Sequence, residues 1–87
     1  MRVLLVTMEL NPGGNEDEIR KLLGDFENMR LNDNAYLLAT ELGPDDIYRK
    51  LQPLLGRDDL AYVITAAKPW MGYGYQAMND WLNGYLG

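Results

Sequence analysis

Few residues in this chain are equipped for catalysis, and the best placed is Glu9. It ends the apolar run Arg2-Val3-Leu4-Leu5-Val6-Thr7-Met8 and stands just before the turn residues Asn11-Pro12-Gly13-Gly14. A carboxylate where a buried strand meets a glycine-rich turn is a common position for a metal ligand or a general base, and equally for an acid that faces water. The chain has no histidine and no cysteine. Thiolate nucleophiles, disulfides, thiolate zinc sites and imidazole bases are therefore excluded, leaving carboxylates, hydroxyls, Lys, Arg or a hard cation for any chemistry. Thr7 and Asn11 could serve beside Glu9 as neutral oxygen donors to magnesium.

Other acidic pairs offer less. Asp45-Asp46 stands where a helix begins and Asp58-Asp59 reads as a surface loop, and neither has the alternating oxygen ligands of a calcium loop. The turn Asn11–Gly14 precedes a helix as an anion-binding turn would, but no phosphate-loop fingerprint follows, and Glu16-Asp17-Glu18 would repel a phosphate. Thirteen acids against eight bases give a net charge of −5, which disfavours nucleic acid as a partner. Arg20-Lys21 and Arg49-Lys50 lie within helical patterns beside acids and read as solvated faces.

The elements that must position these groups follow from periodicity. Residues 2 to 8 are apolar on both alternating faces, the mark of a central strand covered on both sides. Asn15 is placed to cap a helix with acids in its first turn, and Ile19, Leu22, Leu23 and Phe26 form its buried stripe. Strands over 28 to 32 and 35 to 40 flank Asn32-Asp33-Asn34, a hairpin tip. Gly43-Pro44-Asp45-Asp46 opens a second helix with Ile47, Leu51, Leu54 and Leu55 on its apolar face, and Pro53 should tighten its last turn. Leu60 to Thr65 is a β-rich final strand.

Strand, helix, strand, strand, helix, strand in 87 residues predicts an α+β, ferredoxin-like βαββαβ sandwich, its antiparallel sheet carrying both helices on one face. We take residues 1–66 as that unit and 67–87 as an aromatic dimerisation tail of the same domain, ending in a short helix. Whichever face the helices take, apolar residues of the first strand remain on the other, and either a second copy or the tail must cover them. The candidate interface residues are Val3, Leu5, Trp70, Tyr73, Tyr75, Met78, Trp81, Leu82 and Tyr85. Aromatic density of this kind could stack bases, but in an acidic chain packing or interface anchoring is the better reading. No apolar run is long enough for a membrane span or a signal peptide, so the expectation is a soluble cytoplasmic protein without a membrane partner.

The strand ending in an acid and "LNPGG", "AYLLATEL" feeding "GPDDIYRKLQPLL", then "GRDDLAYVI" and a late "PWMGYG" followed by "WL", together resemble the small bacterial and phage proteins labelled SinR-like. These are similar in turn to the CRISPR-associated adaptation endoribonucleases and the VapD toxins, and the likeness covers nearly the whole chain. It implies a ferredoxin-like domain that dimerises through its sheet face with help from the C-terminal segment, in a toxin–antitoxin, mobile-element or phage–host conflict setting. In the nuclease branch an aspartate ends the first strand, and two copies meet near the dimer axis to hold a divalent cation. Glu9 occupies the matching position. The longer side chain departs from that pattern, and in-line phosphoryl chemistry is sensitive to misplacement by about 1 Å. The expectation is a non-catalytic homodimeric interaction or regulatory protein with no cofactor and Glu9 structural or vestigial; an acidic surface that mimics nucleic acid belongs to the same class. The alternative is a magnesium-dependent endoribonuclease or DNase in which Glu9 is both catalytic residue and metal ligand.

Overall fold

The computed structural model describes residues 1–87. Strand β1 (Arg2–Glu9) is followed by helix α1 (Glu16–Gly24), strands β2 (Glu27–Asn32) and β3 (Ala35–Thr40), helix α2 (Pro44–Leu51), strand β4 (Leu60–Ala66) and helix α3 (Gln76–Leu86). The four strands form one sheet in the order β2-β3-β1-β4, and every neighbouring pair is antiparallel. β1 lies mid-sheet, as its two apolar faces require.

Alternation along β1 divides the sheet's two faces. Leu4, Val6 and Met8 point toward α1 and α2, where they join Tyr36 and Leu38 of β3, Ile19 and Leu23 of α1, and Ile47 and Leu51 of α2 in a single buried core. Both helices therefore cover the same face. Leu22 and Phe26 pack at the rim of that core, as do Leu54 and Leu55. Pro53 falls in a 3-10 turn, Gln52–Leu54, that closes α2, because proline donates no N–H to continue the α-helical ladder.

Two helix starts differ in their capping. At α2, Pro44 occupies the first turn and the Asp46 carboxylate accepts the Gly43 N–H at 3.1 Å. At α1, Asn15 holds the N-cap position but makes no side-chain cap bond. Its amide instead donates to the Leu54 carbonyl at 3.0 Å, tying the start of α1 to the end of the α2 segment. The expected local cap is replaced by a longer-range tether.

On the opposite face β1 presents Val3, Leu5, Thr7 and Glu9, and the register adds Leu37 and Ala39 from β3 and Leu60, Tyr62, Ile64 and Ala66 from β4. The chain after β4 returns across this face, and α3 comes to rest against β2. Val3, Leu37 and Ala39 are buried there, although they point away from α1 and α2. Trp70, Met78 and Leu82 of the returning segment meet Leu5, Leu31 and Leu37 around a shared apolar groove. The tail thus covers part of its own sheet: Trp81 and Leu82 are half-buried within the same chain, while Tyr85 stays 39% exposed.

Candidate interaction surface and the surroundings of Glu9

Glu9 is the last residue of β1, pairs with Leu60 of β4, and is exposed. It borders a shallow cleft with Thr7, Met8, Asn34, Leu60 and Tyr62. Thr7 lies on the same face two residues away, as expected of a neutral oxygen donor. Asn11 does not line the cleft, since its backbone N–H turns to Asp59. Asn34, which the sequence reading did not single out, does line it. The hairpin tip reaches this spot because β3 begins opposite Thr7, and the Met8 N–H donates to the Asn34 carbonyl at 2.8 Å.

One subunit therefore offers a carboxylate, a hydroxyl and an amide at this cleft. A single carboxylate does not make a magnesium site without phosphate oxygens or a further acid. No group of three or more His, Cys, Asp or Glu side chains comes together anywhere in the chain. The second carboxylate that the nuclease alternative needs must come from another copy.

Asp59, read from sequence as a loop acid, has a defined structural task. Its carboxylate accepts the N–H of Asn11 at 2.7 Å through one oxygen and the N–H of Gly56 at 2.7 Å through the other. The turn after β1 and the turn before β4 are joined by this one side chain. These bonds, first that from Asn11 and then that from Gly56, hold the Asp59 pKa below the usual carboxylate value. The turn Asn11–Gly14 thus already has an anion in attendance, supplied by the chain itself. Gly13, at φ +87°, takes the left-handed backbone conformation that makes the turn possible.

On the helix side, Arg20 donates to Glu16 at 2.9 Å and to the Tyr36 hydroxyl at 3.1 Å. The Glu16 bond is the main reason its pKa is raised, with the Tyr36 bond second. Arg30 stands over the Tyr36 ring at 5.7 Å and also pairs with Asp33 at 2.8 Å. Tyr36 is buried between the two arginines, a packing role with its hydroxyl satisfied.

The aromatic tail separates into two sets. Trp81 and Tyr85 pack together with ring centroids 4.4 Å apart, and Trp81 bonds Glu27 of β2. Trp70, Met78, Trp81 and Leu82 are half-buried on the sheet face. Met71, Tyr73 and Tyr75 stand almost wholly in water, Met71 at 98% exposure. Among the candidate interface residues Val3 is covered by its own chain, Leu5 is half-buried, and Tyr73 and Tyr75 are free to meet another molecule. Beyond that set, β4 leaves Leu60, Tyr62 and Ile64 exposed at 52%, 63% and 50%. Period-two alternation could have flagged these three, but only the strand order shows that the tail stops short of them.

No helix is long and apolar enough to cross a membrane. Comparison with protein-family models and with curated protein sequences gives no match.

Proposed function

We propose that this chain is a ferredoxin-like domain with a C-terminal helical extension that works as a homodimeric, non-catalytic interaction or regulatory protein, in the manner of the SinR-like conflict-system proteins it resembles. One observation carries the reading. A small domain that has already folded its own tail over its sheet still leaves Leu60, Tyr62 and Ile64 in water beside the exposed Met71 and Tyr73 of the tail. Ile64 faces Leu5, which lines the tail groove, so these side chains border one apolar area rather than lying scattered. Exposed apolar surface of this kind, free of charge within β4 in a chain of net charge −5, favours association with protein over nucleic acid.

The test is the mass in solution, by light scattering at micromolar concentration. A dimer burying about 800 Å² per partner is expected. A monomer across the accessible concentration range defeats the homodimer.

A further inference from the structure

The two edges of the sheet are built differently. β2 carries Glu27 and Arg30, has a register irregularity between Arg30 and Asn32, and is flanked by α3, whose Trp81 bonds Glu27. Charge, a bulge and a covering element are the devices that stop an edge from adding another strand. β4 has neither charge nor bulge, and the helix packed against it, α2, lies on the core face of the sheet. The strand's seven residues, Leu60–Ala66, include no charge, proline or glycine, and they pair with β1 without a register shift. Outside regular secondary structure, none of them makes a backbone hydrogen bond, and none makes a side-chain bond. The outward N–H and C=O groups of β4 are therefore left to water. Along this edge runs a shallow groove lined by Tyr48 and Leu55 together with Leu60, Ala61 and Val63, with the carboxylates of Asp45 and Asp59 also on its wall.

We infer that the β4 edge receives the β4 of a second copy, antiparallel about a two-fold axis at Val63, so that two four-stranded sheets become one. This rests on the proposed homodimer and places its contact at the sheet edge, not across the sheet face as the resemblance implies. Facing residues in an antiparallel pair share a sheet face, so a two-fold axis perpendicular to the sheet must pass midway between a residue and its own mate in the copy. Val63 is the middle of Leu60–Ala66, and only that centre pairs the whole strand. Tyr62 then lies opposite Ile64 of the copy, Leu60 opposite Ala66, and Ala61 opposite Thr65.

Antiparallel pairing also puts the turn that holds Asp58, ahead of one β4, at the same end of the ladder as the bend that holds Lys68, after the other. Both residues are exposed, and neither has an ion-pair partner within its own chain. An axis at Tyr62 or Ile64 would shorten the ladder. For a chain of net charge −5, an uncharged seven-residue contact flanked by opposite charges is the least repulsive way to meet itself.

The absence of cysteine allows a clean crosslinking test. Leu60→Cys and Ala66→Cys, at the two ends of β4, are made as separate proteins, mixed and oxidised. In the inferred register a cysteine at 60 meets one at 66 of the other copy, whereas two at 60 lie about 20 Å apart at about 3.3 Å per residue. A disulfide-linked dimer is expected from the mixture and from neither variant alone. In parallel, Ile64→Lys should weaken dimerisation at least about tenfold while Asn83→Lys, exposed on α3 at the other edge of the sheet, leaves it unchanged.

A dimeric parent whose mixture fails to crosslink, whose single variants crosslink alone, or whose Ile64→Lys form stays equally dimeric overturns the edge pairing and leaves the homodimer standing. A monomeric parent overturns both. An extended peptide of another protein captured on β4 of such a monomer would identify a different occupant.

Discussion

Trp81 of α3 donates its indole N–H to the Glu27 carboxylate of β2 at 3.0 Å, joining two residues 54 positions apart. The bond anchors the last helix to the edge of the sheet, and the same indole packs on Tyr85. Trp81→Ala should cost about 2 kcal/mol in urea unfolding, because it removes a half-buried ring as well as the bond. Trp81→Phe, which keeps an aromatic ring, should cost about 1 kcal/mol. Equal losses from the two would mean that the hydrogen bond alone holds the helix.

Asp59 should make stability depend on pH in acid. Its folded pKa lies below the ordinary value, so the native state binds that proton less readily than the unfolded chain does. Its contribution is complete above the unfolded-state pKa and disappears as pH falls through the lower, folded value. Thermal melts from neutral pH into the carboxylate range should show Asp59→Ala less stable than the parent at pH 7, with the gap closing in acid. Asp58→Ala, which removes a neighbouring acid without those two bonds, should shift the melting temperature less.

The core and the open face should respond unequally to truncation. Leu38 is fully buried against β1 and both helices, and Leu38→Ala should cost about 3 kcal/mol by the loss of methyl groups and the cavity left behind. Ile64 is half exposed, so Ile64→Ala measured under monomeric conditions should cost less than about 1 kcal/mol. A large loss at Ile64 without dimer dissociation would place it in the folding core instead.

Glu9 answers to a nuclease assay. With magnesium or manganese, we expect the parent protein and Glu9→Gln to leave RNA and DNA equally intact. If the parent cleaves and the variant does not, while both remain folded and of the same mass, the catalytic alternative replaces the proposal above.

Deleting residues 70–87 should destabilise the domain, and not only its association. The tail's Trp70, Met78 and Leu82 surround a groove with Leu5, Leu31 and Leu37 of the sheet. A truncated chain that keeps the parent's melting temperature would show that the tail contributes nothing to the fold.

Local pattern was enough for most of the scaffold. The double-faced apolar run of β1 is a property of consecutive residues, as are the Ile19–Leu23 stripe, the Asn32–Asn34 tip and the Pro53 turn, and each element lies within a residue or two of where its pattern put it. Burial of Leu4, Val6 and Met8 against both helices followed once those elements had to share one core. Four other features depend on residues far apart in the chain. Asp59 reaches Asn11 across 48 positions and Trp81 reaches Glu27 across 54, and no periodicity encodes which loop acid will meet which free amide. The composition of the tail marked it as apolar, but whether it would cover its own sheet or another copy's was decided by where the chain goes after β4. The contrast between the edges also belongs to tertiary structure: "LAYVITA" reads simply as a good strand, and its bare edge appears only because β1 pairs with one side of it and nothing pairs with the other.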